Sequence, residues 1–160
     1  RDGMYLRALH RVSSLQQEFR GNHWLDLLRQ KALDGLHYSA ESLSSATANL
    51  QRITADIRPW TRGLLVDQHY DLGLAYAHAS NYSRALVHFE RAASQPAEKP
   101  RLKSAARLRQ GMMFDRLGYR RRARTAYAAA TRGPFADPIV LRYATHFMSA
   151  PYRGRERVPE

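Results

Sequence analysis

Three sets of residues in this chain are of types that could do chemistry. Seven histidines (His10, His23, His37, His69, His78, His88 and His146) could ligate a metal or carry a proton. Asp67 and Asp71 stand four apart, which on a helix puts both carboxylates on one face, as a paired acid and base would require. Arg120, Arg121, Arg122 and Arg124 form a dense cationic run that could meet phosphate or an anionic lipid surface.

None of the three sets reaches a catalytic signature. No histidine falls in H-E-x-x-H, and zero cysteines leave no thiolate to complete a zinc site or act as nucleophile. Scattered helical positions account for the histidines. The aspartate pair has no partner motif and reads as two polar groups facing a groove. There is no G-x-S-x-G elbow, no phosphate-binding G-x-x-x-x-G-K-[ST] and no G-x-G-x-x-G. No catalytic residue, metal or cofactor is assigned, and the expectation is a binding protein rather than an enzyme.

Charge narrows the possible partners. The formal net charge is +12, and residues 101–132 carry ten basic residues against Asp115 alone. Three quarters of the excess thus lies in one fifth of the chain, whereas residues 67–100 are slightly acidic. Such a distribution argues against a uniform nucleic-acid-coating surface and for a local anionic contact or a solvated basic face.

The elements that must position these groups read as helices throughout. With 160 residues and 44% hydrophobic content the chain has the size of one domain, and a compact fold could bury roughly 70% of its unfolded surface. No run approaches the ~18 apolar residues of a membrane span. Absence of cysteine leaves the compartment open, and no basic stretch followed by an apolar run marks a secretory signal. Apolar residues recur at three and four, and β-branched alternation is nearly absent, so the fold class is all-α. Tyr5, Leu9, Val12, Leu15 and Phe19 form a first stripe, and Trp24, Leu27, Leu28, Leu33 and Leu36 a second. A polar helix spans Ser42 to Ile57 and breaks at Pro59. Further helices fall at about 64–79, 82–94, 101–116 and 119–132. Asp137 as N-cap and Pro138 at the first helical position start a last one.

An internal repeat organises the later helices. An offset of 38 aligns Gly73 with Gly111, Leu74 with Met112, Tyr76 with Phe114, Ala85 with Ala123, Phe89 with Tyr127, Ala92 with Ala130 and Pro96 with Pro134. One step back, Gly35, Leu36 and Tyr38 fit, while Thr47, Gln51 and Thr54 do not. Small residues at the matched positions let two helices approach, and the aromatics fill the space beside them. Each hairpin then buries its apolar face only by stacking on the next.

The run Leu72-Gly73-x-x-Tyr76, Asn81-Tyr82-x-x-Ala85-x-x-x-Phe89-x-x-Ala92, then Pro96, resembles the tetratricopeptide repeat, whose period is about 34 residues. Gly111, Phe114, Leu117-Gly118, Ala123, Tyr127, Ala130 and Pro134 repeat it, departing at Gln110 and at Tyr119 with Arg120. The four extra residues are assigned to a longer loop at Gln95–Arg101. The resemblance implies a right-handed superhelical stack of helical hairpins. Residues 1–63 hold N-terminal helices and a degenerate repeat, 64–150 two repeats with a capping helix, and 151–160 a loose tail.

It also implies a function: a protein–protein interaction module that takes a peptide or partner helix in its concave groove, within a larger protein or assembly. Carried onto this sequence, that groove presents Asp67, Tyr70, Asp71, Leu74 and His78 from one repeat. Leu108, Arg109, Met112, Asp115 and Arg116 come from the next. Only Arg109 matches a basic residue of the carboxylate clamp with which one subset of the family binds chaperones, so that specialised reading is set aside. Arg121 projects opposite the packing side set by Ala123, Ala126, Tyr127 and Ala130, with Arg120, Arg122 and Arg124 around it, an outer patch rather than a groove wall. A nucleic-acid-binding helical repeat and an accessory domain of an enzyme are the alternatives.

Overall fold

The structure, a computed structural model, describes residues 2–19, 22, 25–26, 28–29, 32–33, 39–55, 61–95, 99–132, 137–154, 156 and 158. Among them it is all-helical: α1 (Asp2–Glu18), α2 (Ser39–Ala55), α3 (Thr61–His78), α4 (Tyr82–Ser94), α5 (Pro100–Arg116), α6 (Arg120–Thr131) and α7 (Pro138–Ser149). The helix expected from Trp24 to Leu36, with the repeat positions Gly35, Leu36 and Tyr38, lies largely outside the described residues, as do Pro96 and Pro134. No helix among those described is long and apolar enough to cross a membrane.

Local chemistry sets the helix ends. Asp137 accepts from the backbone N–H of Ile139 at 2.8 Å with Pro138 behind it, the start that the Asp-Pro pair predicts. Asn81 likewise caps α4 through the N–H of Arg84. Helices α3 and α5 stop in the same way. Ser80 (φ 58°) and Gly118 (φ 81°) turn left-handed, so that Asn81 N–H reaches Tyr76 C=O and Tyr119 N–H reaches Phe114 C=O, each at 2.8 Å. This closing motif ties off the last free carbonyls of a helix.

Packing follows chain order. From α2 onward each helix packs on the next, with second-neighbour contacts between α3 and α5 and between α5 and α7. The repeated glycines explain the closeness within each hairpin. A Cβ on Gly73 would stand 2.6 Å from the Phe89 ring, and one on Gly111 would strike the Tyr127 ring in the same way. Both rings are fully buried. Around them Ala85, Ala92, Ala106, Ala123, Ala130, Val140, Ala144 and Phe147 complete one continuous core. Near the start of the chain a buried carboxylate, Asp26, receives Gln16 of α1 and Arg52 of α2, both at 2.6 Å.

Candidate functional site

One face of α5 gathers most of the polar chemistry. Leu102, Ala105, Arg109 and Arg116 recur along it at three-, four- and seven-residue spacing, as positions on one side of a helix must. Across this face runs the chain's own segment following α7. Arg116 donates through Nη1 to the main-chain oxygen of Arg153 at 2.7 Å, and Arg109 donates to that of Val158 at 3.2 Å. Asp115 accepts the backbone N–H of Tyr152 at 2.8 Å. The Tyr152 ring meets Phe147 edge-on at 5.3 Å, and the Val158 side chain packs on the core. Polar composition implies a loose tail over 151–160, of which residues 155, 157, 159 and 160 lie outside the described residues. Its described residues 152, 153 and 158 make three long-range bonds to α5 through their backbone, which side-chain types could not reveal.

Asp115 is the hub of this arrangement. Its side chain is 1% exposed, and its charge is met by Arg120, whose Nη1 lies 3.1 Å from each carboxylate oxygen. Tyr127 donates its hydroxyl to the same carboxylate at 2.8 Å. Burial, followed by the bond to Asp115 and the charge of that group, raises the Tyr127 phenol far above its ordinary value, so it acts only as a donor. Burial also raises the Tyr152 phenol. Arg116 completes the wall, donating to the Tyr82 hydroxyl at 2.7 Å while another Tyr82 contact places the guanidinium 4.8 Å above the ring.

Beyond Arg109, toward the start of α5, the same face opens into an apolar cleft of about 750 Å³. Tyr70, Leu102, Ala105, Ile139 and Val140 line it, from α3, α5 and α7. Asp67, Lys99, Arg101 and Asp137 stand at its edge, Lys99 paired with Asp67.

Of the ten groove residues the sequence singles out, the structure brings Arg109, Asp115 and Arg116 together under the 152–158 segment, and Asp67 and Tyr70 at the cleft. Leu74, Leu108 and Met112 are not groove wall. Leu108 and Met112 are 2% and 1% exposed and belong to the core, on a helix that packs between α4 and α6 and also touches α3 and α7. Asp71 is buried as well, and His78 is exposed at the end of α3. The outer patch is smaller than expected. Arg121, Arg122 and Arg124 are exposed, but Arg120 turns inward to Asp115 and to the Met148 carbonyl.

Sequence reasoning also missed a histidine pair. His69 and His88 meet Nδ1 to Nδ1 at 3.1 Å, so one ring must carry the proton and the other accept it. Tyr76 stacks on His88. Burial first, then the partner imidazole and Arg91, push His69 down to about 4; burial and Arg91 do the same for His88. Both rings are neutral at ordinary pH. Among the described residues no three His, Asp or Glu side chains gather as a metal site would need. Gln68 is fully buried, and neither of its side-chain polar atoms finds a partner among the described residues.

No family model, curated protein or solved structure matches this chain, so its geometry alone informs the reading of the site.

Proposed function

We propose that the chain is a helical-repeat interaction module of the tetratricopeptide type, serving a larger protein or assembly, that binds a partner's peptide along the α5 face. One observation carries this reading. Asp115, Arg116 and Arg109 grip a non-helical segment through its main-chain N–H and C=O groups. Such bonds do not depend on the side chains of what is held, and a foreign chain can make them as readily. The 38-residue correspondence of the two hairpins, glycine against aromatic in each, supports the repeat assignment.

A peptide array probed with the full chain tests it. Retention of a defined subset of peptides, lost in Arg109→Ala and Arg116→Ala chains that keep their melting temperature, is the expected result. Retention indifferent to both arginines would remove the groove.

Arg121, Arg122 and Arg124, exposed on the far side of the hairpin, favour the second reading of nucleic-acid binding. Salt separates the two. A merely basic face gives binding in the ~10–100 µM range that fades by ~0.2 M salt, and a true nucleic-acid site gives tight, selective binding that survives it. The first outcome is expected, since three arginines beside the exposed ring of Tyr119 offer phosphate contact but little base stacking.

A further inference from the structure

The groove already holds one ligand, and that ligand's chemistry defines what it recognises. Three positions of the 152–158 segment are specified by their surroundings. Residue 152 must be aromatic to lie against Phe147 while its N–H bonds Asp115. Residue 154 must be glycine: its φ is +85°, and a Cβ there would stand 2.5 Å from the Arg116 guanidinium. Residue 158 is aliphatic, half-buried against the core, and its carbonyl faces Arg109. Polarity is fixed as well. Arg109 lies two turns before Arg116 on α5 and takes the later residue, so the bound segment runs antiparallel to that helix.

The remaining positions sum to a positive charge on a basic molecule. Residues 153, 155 and 157 are arginine, against the single carboxylate of Glu156, which accepts the backbone N–H of Arg153 at 3.3 Å; the chain's net charge is +12, and Arg153 is exposed beside the groove. The Asp115 carboxylate beneath the segment is already neutralised by Arg120. A ligand with the same anchors and acidic residues between them would meet a favourable field in place of a repulsive one.

We propose that the α5 face takes an acidic peptide of the pattern aromatic-x-Gly-x-x-x-aliphatic, and that residues 152–158 are a built-in, weaker occupant which such a partner displaces. This rests on the peptide-binding reading above and names its ligand.

Fluorescence anisotropy with three labelled peptides spanning residues 150–159 tests it: the native sequence, the same with Arg153→Glu, Arg155→Glu and Arg157→Glu, and that acidic peptide with Gly154→Val. Each is titrated with the full chain and with a full chain carrying Gly154→Val, whose own segment cannot seat. The acidic peptide is expected to bind the Gly154→Val chain at least tenfold more tightly than the native peptide does. It should also bind that chain at least tenfold more tightly than it binds the unaltered chain. Arg109→Ala in the same background, or valine in the peptide, should abolish the gain.

Equal binding of the acidic peptides with and without glycine would overturn the proposal, leaving charge alone as the attraction. So would absence of binding by a Gly154→Val chain that melts as the parent does. Should that chain fail to fold, the acidic peptide is added to the unaltered chain instead. The Tyr152 amide must then lose its protection from hydrogen exchange, and retained protection at saturating peptide overturns the proposal. If arrayed peptides of a different pattern bind through Arg109 and Arg116, the binding module stands and this ligand falls. If none does, both fall.

Discussion

The α3–α4 and α5–α6 hairpins share an apolar skeleton and differ in the polar groups mounted on it. In both, a helical glycine lies under a fully buried aromatic ring, and the first helix ends in the same left-handed turn. At the next level they diverge in matched sets. Ala77 and Phe89 of the first hairpin correspond to Asp115 and Tyr127 of the second, so the carboxylate and the hydroxyl that bonds it occur together. His69 and His88, which bond each other, correspond to Arg107 and Ala126, which keep neither ring. The skeleton fixes how closely two helices approach, and each polar set is an insert satisfied within its own hairpin. Among the described residues, only the insert of α5–α6 also reaches a third piece of chain.

The comparison breaks most sharply at Asp115. Asp115→Ala leaves Arg120, the Tyr127 hydroxyl and the Tyr152 N–H without their acceptor, and should cost about 3–5 kcal/mol in urea unfolding. A loss below about 1 kcal/mol would mean that the hub does not hold these elements together. The shared skeleton is tested next. Gly73→Val and Gly111→Val should each cost about 1–3 kcal/mol by overpacking a ring that cannot move aside, and by similar amounts. A clear inequality would deny that the two contacts are equivalent.

Exchanging the inserts gives smaller effects of unequal size. Phe89→Tyr buries a hydroxyl where Ala77 offers no carboxylate and should cost roughly 1–2 kcal/mol. Tyr127→Phe removes one of several bonds to Asp115 and should cost about 1 kcal/mol or less. Reversal of that order would show that Asp115 depends on the hydroxyl more than on Arg120 and the Tyr152 N–H.

The first hairpin alone should respond to mild acid. His69 and His88 hold their protons only near pH 4 when folded, whereas the unfolded chain takes them up near 6.5. Between those values the unfolded state binds more protons, so stability is full above about pH 6.5 and falls as pH drops toward 4. In His88→Ala, which copies the second hairpin at this position, the melting temperature should decline less steeply over that window. Parallel decline in both proteins would show that the pair is not held neutral.

The skeleton was legible in the sequence because it depends on residue size at a fixed offset. Gly73, Phe89, Gly111 and Tyr127 announce their contacts by spacing, and Asp137-Pro138 announces a helix start. The all-α class and the later helix ends followed from such signals. The site was legible only in part. Arg109 and Arg116 lie on the stripe that a helical wheel finds, but the wheel could not tell that the helices packed around α5 would bury Leu108 and Met112. Arg120 reads as outward because projection along α6 ignores the preceding turn, around which its side chain reaches back to Asp115. The bond between Asp115 and Tyr152 spans 37 residues and leaves no periodic trace. His69 and His88 sit on different helices, where nothing in local sequence pairs them.

Hydrogen exchange at the Tyr152 amide tests the central claim, that the α5 face seats a backbone segment. Its N–H points to a carboxylate that is almost wholly removed from water. Measured by NMR on the full chain, its exchange should be slowed on the order of a hundredfold relative to an unstructured peptide, and Asp115→Asn should restore much of the rate. Exchange of Tyr152 at the unstructured rate in the unaltered, folded chain would contradict the account, because the groove would then hold nothing.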